Sequence, residues 1–385
     1  MTVNTKANVK ILFALTLVHF TGDFYSSFIS PLYPLFIEKM GLSLTQVGFI
    51  SGTILLLSFV VQPTVGYLAD RYVTRKFIIL GVLMPIVFIP MSGIASGFRM
   101  LIILVALGSF GSSMFHPSVT GMVPLYSGNK AGFAMSIFNM GGTLAFGVGP
   151  LFITWYAERF GLNAMPFTTI FGLCVAWYLY MIVPVPRSEG LMRLGFLGSV
   201  RESLGPVWKT VVCIWLVMVL RAIIGQSFNT FIPVLFVQKG YSVFSAGVMI
   251  SIFTVAGSIS GLVAGHISDR IGYRPVFYFI FGAMAPILLI FLRMQGNWVY
   301  LGAFFAGAII LASMPLGVAL AQILAPRGRS MVASLMMGFA YGLGGIISPV
   351  VGKLADIYSI HTVLTGVAFM PLLVLPLVAV FPQKK

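Results

Sequence analysis

The chain has 385 residues, 59% of them apolar and 8% charged, and a net charge of +15. A soluble domain carries about a quarter charged residues to face water; 23 basic and 8 acidic side chains exclude a soluble globular enzyme, and the apolar content excludes a disordered or collagen-like chain. A mean hydropathy of +1.03 fits a polytopic membrane protein, whose apolar side chains face lipid.

Apolar runs of about 20 residues or more predict membrane-crossing helices, not barrel strands of about ten. Gly, Pro, Asn and charged residues divide them into twelve predicted spans: 10–37, 45–69, 74–96, 100–123, 130–157, 163–185, 207–237, 243–268, 275–294, 298–322, 330–357 and 361–381. Lysines precede Ile11–Phe20 as in a signal peptide, but no small-residue cleavage site follows and the apolar pattern runs on to Ile37; a retained first helix is expected. Arg71, Arg75, Lys76, Lys130, Arg187, Arg193, Arg201, Lys209, Arg270, Arg274, Arg327 and Arg329 gather at one set of span ends with the terminal lysines Lys6, Lys10, Lys384 and Lys385. The other set holds only Lys39, Arg99, Arg159, Lys239, Arg293 and Lys353. The positive-inside rule then places both termini and the 186–206 connection in the cytoplasm. The basic residues form no continuous face or arm, which argues against nucleic acid as a partner. Cys174 and Cys213 both fall inside apolar runs, so no disulfide framework is expected.

Span 1 holds the only acidic residue deep in a span, Asp23; the other seven lie at span ends or in loops. A mid-bilayer charge costs a few kcal/mol on insertion scales, so such residues face a cavity and work. Asp23 is therefore read as a proton carrier, against the alternative of a structural carboxylate bonded to hydroxyls. His19 lies one turn earlier, and Ser26, Ser27 and Ser30 continue its face. It either shares the proton or packs as a satisfied imidazole. In span 2, Gln62 is either cavity-lining or interhelical glue. In span 4, His116 shares a face with Ser109, Ser112, Ser113 and Thr120 beside Pro117, which removes a backbone donor. Substrate contact and support of a kink are the two readings. Ser136, Asn139 and Thr143 form a stripe in span 5, with Asn139 read as cavity-lining.

Span 7 holds the only deep basic residue, Arg221, on a face continued by Gly225 and Asn229, with Gln226 as a further substrate-contact candidate. A guanidinium offers a fork of donors matched to carboxylate or phosphonate; the alternative is an ion pair with Asp23. Gly257, Gly261 and Gly265 in span 8, and Gly338 with Gly342 in span 11, are small-residue packing ridges.

The two halves repeat at an offset of 199 residues: Pro34, Gly41, Ser43, Gly48, Gly66, Asp70 and Arg71 recur as Pro233, Gly240, Ser242, Gly247, Gly265, Asp269 and Arg270. The same offset maps Arg221 onto Gly22, beside Asp23. Two parallel six-helix halves, 1–185 and 207–385 joined by a 186–206 linker, form a transporter plan with the substrate site between them near mid-membrane.

Gly66-Tyr-Leu-Ala-Asp70-Arg71 followed by Arg75-Lys76, and Gly265-His-Ile-Ser-Asp269-Arg270 followed by Arg274, resemble the loop 2–3 signature of the major facilitator superfamily, present in both halves. The resemblance implies an all-α, twelve-helix fold in two pseudo-symmetric halves. Gly66, Asp70, Arg71, Gly265, Asp269 and Arg270 are then gating residues: the glycines admit close helix approach, and the aspartates face a helix N-terminus across the cytoplasmic edge. His19-Phe-Thr-Gly-Asp23, Phe115-His116-Pro117, Gly132-Phe-Ala-Met-Ser136, Gly141-Gly142 and Gly149-Pro150 are similar to the fosmidomycin-resistance type of facilitator. Ser118 stands where that pattern often has an acid. This narrower resemblance implies a proton-driven exporter of a small compound in a bacterial inner membrane.

No His-Glu-x-x-His, Cys-x-x-Cys, Gly-x-Ser-x-Gly or Walker phosphate loop occurs. The four histidines show no metal-ligand spacing in sequence. Neither enzyme activity, cofactor nor metal is expected; the expected partners are a small-molecule substrate, protons and the bilayer, around a monomer. Two directions remain open. The resemblance implies efflux by proton antiport, whereas an Asp23 that releases Arg221 on protonation implies symport and uptake of a small organic anion. A transporter-like lipid flippase or sensor is the alternative class, which movement of a water-soluble substrate would argue against.

Overall fold

The structure, a computed structural model, describes residues 7–71, 75–128, 130–185, 207–325 and 335–383. No strand occurs among them. Packing divides the chain into two units, Met1–Leu42 with Leu57–Leu191 and Ser43–Leu56 with Met192–Lys385. The first unit contains α1 (Val9–Ser26), α2 (Tyr33–Met40), α4 (Lys76–Met91), α5 (Phe98–Tyr126), α6 (Ala131–Phe160) and α7 (Thr168–Ile182). The second contains α8 (Trp208–Gln238), α9 (Val243–Ile271), α10 (Tyr273–Arg293), α11 (Trp298–Leu324), α12 (Ala340–Tyr358), α13 (Ile360–Phe369) and α14 (Leu375–Val378). Helix α3 (Leu44–Arg71) is shared: its residues through Leu56 pack with the second unit and its remainder with the first. The predicted 186–206 linker lies outside the described residues.

Proline explains where single spans break. Pro31 opens a 3-10 turn at Ser30–Leu32 and Pro34 stands at the start of α2; neither has an N–H to donate, so span 1 splits into α1 and α2. Pro371 and Pro376 divide span 12 in the same way, into α13, a 3-10 turn at Met370–Val374 and α14. Among the described residues eleven helical segments are long and apolar enough to cross a membrane, with Val9–Met40 and Ile360–Val378 each counted once. The remaining predicted span, 330–357, holds α12, preceded by a π-helical turn at Leu335–Phe339. Gly342, Gly344, Gly345, Gly352, Lys353 and Asp356 dilute its apolar content. Large side chains such as Phe133, Leu262 and Phe279 stand exposed on the helices, as lipid-facing surface requires.

Each unit is organised around its first helix. Helix α1 packs against α4, α5, α6 and α7; α8 packs against α9, α11, α12 and α13. These two central helices carry Asp23 and Arg221, both buried. The sequence repeat also reaches the loops. Lys39 donates to the Gly93 carbonyl at 2.7 Å and to Asn163 Oδ1 at 2.8 Å, and Lys239, one residue beyond the position that the offset pairs with Lys39, donates to the Leu292 carbonyl at 2.6 Å. Burial around Lys239, beyond the end of α8, pushes its ammonium below the usual lysine range.

The first half of α3 is fastened within the second unit at two depths. Asp356 near the end of α12 accepts from the N–H of Leu44 at 2.8 Å, from the N–H of Thr45 at 2.9 Å and from the Thr45 hydroxyl. These are amides that a helix start leaves unpaired. Deeper, Ser51 Oγ lies 2.7 Å from Thr230 Oγ1, and Gln226 Nε2 donates to Ser51 at 2.6 Å and to Thr230 at 3.1 Å.

Candidate functional site

Asp23 sits between two imidazoles inside the first unit. His19 Nε2 is 3.1 Å from Oδ2, and His116 Nε2 is 3.3 Å from Oδ1. The carboxylate is 5% exposed and His116, the most open of the three, is 27% exposed. His19 Nδ1 is 2.9 Å from the Phe138 carbonyl, so that nitrogen carries the proton it donates there. Its Nε2 then either carries a second proton toward Asp23 or turns a lone pair toward an anion. His116 Nδ1 and Asp23 Oδ1 are buried without a hydrogen-bond partner. The arrangement has room for one more positive charge.

Close helix approach builds this cluster. A Cβ placed at Gly142 would lie 2.6 Å from His19 Nε2 and 2.8 Å from Asp23 Oδ2, so only glycine lets α6 meet α1 at that depth. The His19 ring stacks on Phe138 of α6 at 4.2 Å between centroids. On the other side Phe115 is fully buried and fills the space over Gly22 and Gly81, which seats α5 and delivers His116 to the carboxylate. Thr120 returns its hydroxyl to the His116 carbonyl at 2.7 Å, and α5 continues through Pro117.

The donor atoms of His19, Asp23 and His116 lie within 4.8 Å of one another, a grouping that could hold a metal ion. Charge decides between the two occupants. One proton shared among two imidazoles and a carboxylate leaves the group neutral, while a divalent cation leaves it at +1 in a medium where charge is expensive. The proton is the better fit. No sequence spacing announced the grouping, because His19 and His116 meet only through the packing of α1 on α5.

Arg221 is 1% exposed. Its Nε donates to the Ile310 carbonyl at 3.3 Å and its Nη1 to the Tyr341 hydroxyl at 2.6 Å, while Nη2 is buried without a partner. The guanidinium carbon stands 5.1 Å from the Tyr341 ring centroid. Tyr341 in turn donates to the Met314 sulfur at 3.0 Å. The partners observed for Arg221 and for Asp23 each belong to their own unit.

The remaining predicted contacts divide. Gln226 gives its amide to Ser51 and Thr230, Asn229 is half-buried and Asn139 is exposed. The side chains of Asp70 and Arg71, and Gly66, lie outside the described ones. In the second copy, Asp269 and Arg270 are described and engaged. Among the described residues nothing lies within 4 Å of a Cβ at Gly265. The ridge does pack one and two turns earlier, where Gly257 meets Leu311 and Gly261 meets Pro315.

Residues 15–349 match the family model of the Major Facilitator Superfamily. The chain is 28% identical to the fosmidomycin resistance protein of Escherichia coli (strain K12), over 97% of this chain and 93% of that one. It is 26% identical to the MFS-type transporter YfnC of Bacillus subtilis (strain 168), over 94% and 90% of the two chains. Its fold resembles a bacterial homologue of the human lysosomal transporter Spinster in an inward-facing and occupied conformation, with a TM-score of 0.82, 15% identity and coverage of 97% and 96%.

Proposed function

The chain belongs to the Major Facilitator Superfamily, and from that premise we propose that this multi-pass membrane transporter is a proton-coupled antiporter exporting a small, anionic compound by alternating access. Asp23 and His19 carry the proton. Arg221, His116, Asn139, Asn229 and Gln226 contact the substrate, and Gly66, Asp70, Arg71, Gly265, Asp269 and Arg270 gate the cytoplasmic side. The protein works as a monomer in a bacterial inner membrane with both termini in the cytoplasm, as halves 1–185 and 207–385 around the 186–206 linker.

One observation carries the antiport reading: His116 reaches Asp23 at 3.3 Å while remaining the most accessible, though half-buried, member of the cluster. Antiport needs proton and substrate to exclude each other. A proton in the cluster ties His116 to the carboxylate and withdraws it from substrate; a substrate that takes a hydrogen bond from His116 draws it off Asp23. Symport would need Asp23 to hold Arg221 until protonation. The imidazole neighbours of Asp23, which can share its proton within one unit, support the antiport reading.

The test is fosmidomycin accumulation in cells lacking their own exporters, with and without the protein, at two external pH values. Export predicts lower accumulation that a protonophore abolishes, and Asp23→Asn is expected to remove the proton dependence. Higher accumulation at acidic pH would make the protein an importer. Proton dependence unchanged in Asp23→Asn would remove the role given to Asp23.

A further inference from the structure

We infer that the buried guanidinium of Arg221 is an oxyanion fork, that its ligand presents a carboxylate or phosphonate group, and that this group binds by displacing the hydroxyl of Tyr341. The inference deepens the transport reading above and rests on it for the identity of the ligand as cargo.

The geometry of the guanidinium is the starting point. Its planar group has one side edge and one end edge of donors. The Ile310 carbonyl takes Nε and so fixes the roll of the plane. The end edge, Nη1 and Nη2, is left for something else. Nη1 is held by a neutral phenol at 2.6 Å, and Nη2 is buried with no partner. A carboxylate or phosphonate offers two oxygens at the spacing of that edge and binds it as a fork. A single hydroxyl fills half of it and brings no charge.

Charge points the same way. Both partners of this buried cation are neutral, and within its own unit the described residues offer Arg221 no carboxylate. A buried ion without a counter-charge is destabilising, and an incoming anion removes that penalty. A neutral ligand would not.

Tyr341 has the properties of a displaceable cover. It is half-buried where Arg221 is fully buried, so it is the group an arriving ligand meets. Its own hydrogen goes to the thioether of Met314, a weak acceptor that holds it loosely. It begins the second residue of α12, directly after the π-helical turn at Leu335–Phe339. Such turns carry spare backbone register and recur at functional sites, which gives the phenol a means of moving off.

The experiment is isothermal titration of the purified full chain in zwitterionic nanodiscs with phenylphosphonate, benzoate and the neutral benzamide. Both anions are expected to bind and benzamide is not; the tighter anion identifies the group the site prefers. Tyr341→Phe keeps the ring over Arg221 but removes the competing hydroxyl, and should tighten anion binding by about tenfold, the scale of one hydrogen bond to a charged group. Arg221→Lys keeps the charge and loses the fork, and should weaken binding by about tenfold or more. Benzamide binding as tightly as the anions, no anion binding at all, or anion binding weakened or unmoved by Tyr341→Phe would each overturn the inference. The titration reads binding at one fixed pH and the accumulation assay reads the proton dependence of transport, so failure here and failure of proton coupling are separate results.

Discussion

A methyl group at position 142 would stand 2.6 Å from His19 Nε2 and 2.8 Å from Asp23 Oδ2, which makes a residue without a side chain part of the site proposed to carry the proton. Gly142→Ala is expected to lower stability by about 1–3 kcal/mol through overpacking and to blunt the pH dependence of transport, read by thermal melting and by uptake assays at two pH values. Gly121→Ala, in a helix and with nothing within 4 Å of its Cβ, is the matched substitution that should leave both unchanged. Asp23, His19, His116 and Arg221 were legible in the sequence because an ionisable side chain inside an apolar run is conspicuous. That one carboxylate serves both histidines was not legible, since the contact depends on how closely α5 and α6 approach α1. Tyr341 gave no signal at all: a tyrosine in a membrane span is ordinary, and only its hydrogen bond from Arg221 singles it out. Gln226 is a different case: its side chain is engaged with Ser51 and Thr230, a pairing that helical periodicity on one chain segment cannot reveal.

At the scale of elements, the apolar runs located the spans well and the prolines governed their interruptions less legibly. Pro31 and Pro371 break their spans, whereas α5 and α6 run on through Pro117 and Pro150. All four residues share the same ring and the same missing N–H, so residue type alone does not separate the two outcomes. The start of α3 makes the same point. Asp356 reads in sequence as an acid near a span end, and the fold turns it into a cap for two backbone amides and a hydroxyl from a distant segment. Asp356→Ala should destabilise the protein by about 0.5–2 kcal/mol, the range for losing a helix cap, and Asp356→Asn by less, because asparagine also caps well. Unfolding of the three proteins in nanodiscs checks the order. An alanine variant as stable as the parent would show that the cap contributes nothing.

For the whole molecule, the direction of transport carries an electrical signature. Exchange of one proton inward for one monoanion outward moves two charges in the same electrical sense per cycle, and each charge is worth about 2.3 kcal/mol per 100 mV. Proton–monoanion symport moves none. Proteoliposomes on a solid-supported membrane should therefore give a transient current on anion addition that vanishes in Asp23→Asn; electrically silent transport of the same anion would reverse the assignment to symport. The twelve-span plan and the internal repeat were visible in the sequence, since both are periodic in hydropathy and motif. The division of α3 between the units was not, because nothing in a continuous apolar run marks where one neighbour gives way to another. That division has a bearing on how such chains can be recombined. A crossover placed at the connection between the halves inherits residues Ser43–Leu56 from one parent and the α12 surface they fasten to from the other. The halves are therefore not interchangeable cassettes, and a workable chimera must carry the opening turns of α3 along with the half that follows it.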